Sequence, residues 1–353
     1  MQIMAARACM NRRQVLGSAL IACLLSPIPG MALARSGMPG SQDVQQDSRT
    51  LMGTQVDITL QHDDAMLRDA ALQAAWAEMT RLVRMMSRYE AGSGVAMLQR
   101  AAGGVPVPVP AELMAVLRQA QQVARLSDGA FDVTVGAYAQ WRFEPGHVDM
   151  PTPAELAAER ALVNHRHLLL DTVHSQASLK QSGMRLDLGG IAKLPILQAG
   201  MAVLTSHGVC NAMINGGGDV ITAGSLHGRD WRIGIRDAHA PARLLGVVAM
   251  RDGIVASSGD YERSFERNGR HYHHILDPRS GLPTQGPHGV VLVARGTEVV
   301  NGRGAALMGA QTAQRDVILR ELKGQADVLI FERDQSRWMT PGMARRLQMA
   351  PRA

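Results

Sequence analysis

Residues 251–285 read RDGIVASSGDYERSFERNGRHYHHILDPRSGLPTQ. Small polar residues and Gly accept tight turns, so Ser257-Ser258-Gly259-Asp260 reads as one. His271-Tyr272-His273-His274-Ile275-Leu276 reads as a strand carrying three imidazoles, and Asp277-Pro278-Arg279-Ser280-Gly281 closes it with a second turn. Pro fixes φ there and Gly permits φ > 0. On a strand, His271 and His273 share one face and His274 takes the other. The plain reading is a polar hairpin with surface histidines. The sharper one is a site that handles an anion or a proton, because His titrates near neutral pH.

Outward from this stretch, strands and helices mix without a regular βαβ period. Helical spacing marks 63–86, 94–102, 111–127, 151–163, a run ending near 207, and 298–309. Apolar strand patterns mark 56–60, 168–171, 177–180, 209–215, 231–236, 244–251, 289–294 and, as the last, 327–332. Thr152 stands where an N-cap belongs. The fold class read from this mixture is α+β, a single large domain of mixed sheets and helices.

The chain has 353 residues, an apolar fraction of 46% and only 3% aromatics; its 21 Met take up part of the core volume. Arg7, Arg12 and Arg13 lie in the first 34 residues, which hold no acid, and the remainder carries 34 basic against 31 acidic residues. That balance gives no reason to expect nucleic acid as a partner. Arg12-Arg13, the apolar stretch from Val15 to Leu25, and Ala32-Leu33-Ala34 before Arg35 read as a twin-arginine-like export signal. The expected location is the bacterial periplasm. Leu20-Ile21-Ala22-Cys23 offers an alternative, an inner-membrane lipoprotein anchored through Cys23. No transmembrane span follows the signal. Cleavage at Ala34 leaves Cys210 as the single Cys, expected to be a buried inert thiol. The domain reading is an export signal at 1–34, a flexible lead-in at 35–49, the functional domain at 50–335 and a tail at 336–353.

Two glycine-rich stretches carry chemistry. In Asp187-Leu188-Gly189-Gly190-Ile191-Ala192-Lys193, two glycines stand between a strand and a helix, where backbone N–H groups attract anions. Lys193 adds positive charge one turn in. Gly216-Gly217-Gly218-Asp219 lets a ligand approach the backbone closely. Either stretch alone is as well explained by a tight turn, and Asp132 and Asp187 each read equally well as caps.

Six stretches occur in order: Met52-Gly53-Thr54; Ala130-Phe131-Asp132-Val133-Thr134-Val135-Gly136 with Trp141; Asp187 to Lys193; Gly216 to Asp219; Ser258-Gly259-Asp260-Tyr261-Glu262; and His274-Ile275-Leu276-Asp277-Pro278-Arg279-Ser280-Gly281. The set resembles the FAD:protein FMN transferases, the ApbE-type flavin transferases, over about residues 50–335. The resemblance implies a T-fold-like domain that splits the pyrophosphate of FAD, attaches FMN through a phosphoester to a Thr or Ser of a partner flavoprotein, and releases AMP, assisted by magnesium. It also implies FAD contacts at Met52, Tyr89, Ala130, Phe131, Asp132, Asp187, Lys193 and Ile275, with His274 as the base for the acceptor hydroxyl. The implied metal positions are Gly190, Asn301 and Ala305. There the chain departs from the family pattern, which has Asp where Asn301 stands and Thr where Ala305 stands. Arg303 adds charge nearby as a partial substitute for the metal. Leu194, Pro195, Gln198 and Gln99 are further departures. A non-catalytic FAD-binding relative, acting as a flavin carrier or redox accessory, is the alternative reading.

Overall fold

A computed structural model describes residues 43–143 and 146–351. The export signal, Cys23 and most of the lead-in lie outside the described residues.

The domain is built on an eight-stranded sheet running Val44–Leu51, Thr54–Gln61, Asn211–Gly216, Asp219–Ala223, Gly253–Gly259, Gly289–Ala294, Ala326–Phe331 and Arg337–Met339. Every neighbouring pair is antiparallel. Its centre is buried on both faces, which explains the unbroken apolar run Gly-Val-Val-Leu-Val-Ala at Gly289–Ala294. Val290 and Leu292 point into the main core with Ile58, Met79 and Leu197. Val291 and Val293 point the other way, toward Trp231, Ile235 and Leu347.

Helices Ala65–Met86 and Lys193–Ser206 cover the first face. Asp64 starts the former, its carboxylate accepting from the amides of Met66 and Leu67. A three-stranded sheet of Trp231–Arg236, Leu244–Met250 and Leu347–Met349 covers the second face. A smaller sheet holds Val107–Pro108, Gln176–Leu179 and Leu168–Asp171. Thr152 caps Pro153–Arg160 in a full capping box with Glu155. The α+β organisation is therefore as expected.

Several local expectations are corrected. Ser257-Ser258-Gly259 is not a turn but the end of the strand Gly253–Gly259, paired with Gly289–Ala294 through Ser258↔Val290 and Gly259↔Gly289. Small polar residues favour turns locally, yet a tertiary strand partner fixes them extended here. The histidine strand is shorter than expected and ends at His273, so His274 lies beyond the ladder. It is the second arm of a hairpin with Ser264–Arg267. Asn268 (φ 52°) and Gly269 (φ 70°) form its left-handed two-residue turn. The helix expected over 298–309 is two helices, Thr297–Val300 and Arg303–Gly309, separated by Asn301 and Gly302. Gly302 adopts φ 75°, which no α-helix accommodates.

The lead-in already forms a strand from Val44, a polar edge strand in full register with Thr54–Gln61. The tail is folded too, because Leu347 and Met343 fill the second core. Two strands therefore follow the one expected to be last. Cys210 is half-buried rather than buried.

Candidate active site

The hairpin Ser264–Arg267/Arg270–His273 is held by an aromatic cluster. Phe265 stacks on Tyr272 at 5.4 Å and Trp141 on Phe143 at 5.4 Å. Trp141 donates from Nε1 to the Gly281 carbonyl at 2.7 Å, and the Tyr138 hydroxyl donates to the Pro278 carbonyl at 2.8 Å. The chain has only four each of Trp, Tyr and Phe, and five of those twelve are committed here, so the position of this hairpin is strongly specified.

His271 and His273 share one face, their rings stacked at 5.8 Å. They bond outward from the ladder, His271 Nε2 to the Asp260 carbonyl and His273 Nε2 to the Thr284 carbonyl. The Asp260 carboxylate is in turn held by His288 Nδ1 at 2.8 Å. These histidines dock the hairpin. His274, one residue past the strand, is placed differently. Its amide donates to the Arg263 carbonyl at 3.1 Å and its Nδ1 stands 3.3 Å from the same oxygen. A carbonyl can only accept, so Nδ1 carries the proton and Nε2 keeps a free lone pair. Burial lowers the His274 pKa from 6.5 to about 4, reinforced by the positive charge of Arg263. The ring is therefore neutral at pH 7 and competent to accept a proton.

Beside it lies the glycine turn. Asp187 Oδ1 accepts from the Gly189 amide at 2.7 Å, and Oδ2 accepts from Arg88 Nη1 at 2.7 Å. The Asp187 charge is felt at His274. Lys193 opens its helix without a side-chain cap and pairs with Asp219 Oδ2 at 3.1 Å. Asp219 Oδ1 also accepts from the Ser257 amide. This ties the glycine turn to the Gly217-Gly218 hairpin and to the central sheet. Lys193 and Arg88 thus flank the glycine turn, each paired with a carboxylate, and put two cations within reach of a phosphate-bearing ligand at the turn.

The remaining expected contacts fall around this centre, with different exposures. Met52 and Gly53 form the two-residue turn between the first two strands, at φ 55° and 70°. A Cβ on Gly53 would stand 3.4 Å from Arg263 Nη2. Met52 in the left-handed region is strained, by about 1 kcal/mol or more, and such strain collects at functional sites. Tyr89 is 81% exposed, with the Arg88 guanidinium 5.3 Å from its ring centre. Ile275 is half-buried against the main core.

Ala130 and Phe131 are buried. Asp132, 5% exposed, spends its carboxylate internally, on the Thr134 amide and hydroxyl and on the His165 amide. It is a cap for the 3-10 turn Val133–Ala137. Any ligand contact from Asp132 therefore comes through its backbone, whereas the Phe131 ring lies against the glycine turn, 3.2 Å from where a Cβ on Gly190 would stand. Gln99 likewise accepts from the Leu186 amide and braces the segment before the turn, which is not the strand expected there but an irregular stretch between Gln176–Leu179 and the helix at Lys193.

The three expected metal positions do come together, but their chemistry does not fit magnesium. A Cβ on Gly190 would lie 3.8 Å from the Ala305 methyl, which offers no ligand atom. Asn301 is 2% exposed and turns its Nδ2 toward the carbonyl of Ile191 and the Oε1 of Gln119, both at 2.8 Å. A hard cation needs oxygen there. Arg303 is no substitute: its Nη1 donates to the Glu298 carbonyl, and burial rather than a charge partner dominates its surroundings.

Two residues with parts in the site escaped the sequence reading. Arg88 meets Asp187 across 99 positions, and no local pattern signals such a pairing. Arg263 had a weak signal, as the residue before a hairpin opened by Asn268-Gly269.

Residues 52–330 match the family model described as the ApbE family. The chain belongs to the ApbE family. An FAD:protein FMN transferase of Klebsiella pneumoniae is 34% identical over 246 residues, 67% of this chain and 72% of that protein. One of Treponema pallidum is 34% identical, covering 61% of this chain and 64% of its own length. The crystal structure of the ApbE protein of Thermotoga maritima superposes with a TM-score of 0.77 at 27% identity, over 86% of this chain and 99% of that one. The ApbE chain described here thus shares the fold throughout its described body.

Proposed function

We propose that this protein is an FAD:protein FMN transferase that modifies a Thr or Ser of a partner flavoprotein. One observation carries the reading: His274 is held neutral, with Nδ1–H on the Arg263 carbonyl and Nε2 free, near the glycine turn at Asp187. Relatives named for this activity support it. In the proposed reaction the acceptor hydroxyl oxygen attacks the phosphorus of the FMN half of FAD. Its proton passes to His274 Nε2, the pyrophosphate P–O bond breaks, and AMP leaves with the bridging oxygen. The Gly190 amide and Lys193 would neutralise the pyrophosphate, Arg88 would orient Asp187, and Met52 and Tyr89 would border the flavin or adenine rings. No step runs through magnesium, since Asn301 and Ala305 do not suit it.

The twin-arginine-like N-terminus supports the bacterial periplasm as the site of action, with a lipid anchor at Cys23 as the other route to the envelope. Among the described residues no helix is long and apolar enough to cross a membrane. The loss of metal-type ligands at Asn301 and Ala305 favours a second reading, an FAD-binding relative that does not transfer FMN. One experiment separates the two. The protein is mixed with FAD and an acceptor flavoprotein fragment that a known transferase modifies, and the acceptor's intact mass is recorded. An FMN-sized gain establishes transfer; FAD binding with an unchanged acceptor mass establishes the binder.

A further inference from the structure

Asn301 sits in a chain of amides whose orientation is fixed at both ends. Gln119, on the helix Ala111–Leu126, donates from Nε2 to the Glu298 carbonyl at 3.3 Å. That leaves its Oε1 to accept from Asn301 Nδ2 at 2.8 Å, while the second Nδ2 proton reaches the Ile191 carbonyl at 2.8 Å. Glu298 and Ile191 contribute backbone carbonyls, which only accept, so neither amide can be reversed without opposing oxygen to oxygen. The relay joins three elements: the helix at 119, the break between helices at 301–302, and the glycine turn at 190–191. Packing closes the same junction, for a Cβ on Gly302 would press on Ile191 Cδ1 at 3.2 Å and on Val123 at 3.3 Å. The two Nδ2 protons thus lie between the Gln119 and Ile191 oxygens, and the side chain presents donors where a cation would require oxygen.

We propose that the Asn301 amide takes the structural place of a metal ion, clasping the Ile191 carbonyl to Gln119, so that the glycine turn holds its ligand-binding shape without a divalent cation. Asn301 is then a positioning residue: it touches the turn, and the turn touches the ligand. The identification of that ligand as FAD rests on the function proposed above; the clasp itself does not.

The test uses the purified protein and Asn301→Asp, which exchanges two donors for two acceptors. Wild type is expected to melt at the same temperature and bind FAD equally well in EDTA and in magnesium, and to leave the electron-spin signal of free Mn²⁺ undiminished. Asn301→Asp in EDTA is expected to melt lower and to bind FAD about tenfold more weakly, a factor worth about 1.4 kcal/mol. Should that variant fail to fold, Gln119→Leu removes one acceptor of the clasp and is expected to weaken FAD in the same direction. The proposal is overturned if wild type sequesters Mn²⁺ stoichiometrically and Asn301→Leu loses it. It is also overturned if Asn301→Asp, or Gln119→Leu in its place, matches wild type in EDTA. A wild type that binds no FAD would defeat the proposed function, while the melting and Mn²⁺ measurements would still decide the clasp.

Discussion

Arg88 Nη1 and Asp187 Oδ2 meet at 2.7 Å across 99 residues of chain. The pair ties the loop after the long N-terminal helix to the glycine turn, and Asp187 uses its other oxygen to hold the Gly189 amide. Both side chains are partly exposed, so the pair adds little to stability, about 1 kcal/mol or less. Its value is geometric. Arg88→Ala is expected to leave the melting temperature nearly unchanged yet weaken FAD about tenfold, the scale of a lost charged hydrogen bond. Fluorescence titration of FAD beside a thermal melt checks both halves.

His274→Ala is expected to abolish FMN transfer while FAD affinity stays within about threefold, since a general base acts on the chemical step alone. Retained transfer in an intact-mass assay would remove His274 from the mechanism.

Because burial lowers the His274 pKa to about 4, the acid limb of the transfer rate is expected near pH 4 rather than near 6.5. His273 is lowered to about 4 as well, again through burial. For both, the folded pKa lies below the unfolded value of 6.5. The unfolded chain therefore binds more protons between those values, and stability falls as pH drops from about 6.5 toward 4. Melting temperatures across that range check the sign; a flat profile would contradict it.

Met52→Asn is expected to stabilise the fold by about 0.5–1 kcal/mol, because Asn tolerates the left-handed conformation that Met52 adopts under strain. The same change removes the apolar Met52 side chain from the edge of the main core and is expected to weaken FAD. A variant with a higher melting temperature and undiminished FAD affinity would mean that Met52 does not border the ligand.

Tyr272→Ala empties the centre of the aromatic cluster that positions the His274 hairpin. The expected cost is about 3–5 kcal/mol in a denaturant melt. At temperatures where the variant stays folded, transfer should fall further than FAD affinity, since the hairpin carries the base and the glycine turn carries the anion site.

Much of this was legible in one dimension. Unbroken apolar runs such as Gly289–Ala294 and helical runs such as Ala65–Met86 appear where their patterns put them, because hydrophobic patterning and caps such as Asp64 and Thr152 are local physics. The order of the six motifs pointed to the family. What misled was polarity read without a partner. Ser257-Ser258-Gly259 looked like a turn, and the neighbouring strand at 289–291 made it a strand. Val44–Leu51 looked like a flexible lead-in, and pairing with Thr54–Gln61 made it the sheet edge.

The sequence by itself determined the α+β class, the position of the glycine turn, and the identities of His274, Lys193 and Asn301. Tertiary structure decided what those residues do. Only the long-range contacts give Asp187 its arginine, leave Nε2 of His274 as the free nitrogen, commit the second Asp132 oxygen to the His165 amide, and turn the Asn301 amide onto the Ile191 carbonyl. Directional bonds between residues tens of positions apart depend on how the sheet brings their elements together, and no local pattern encodes that meeting.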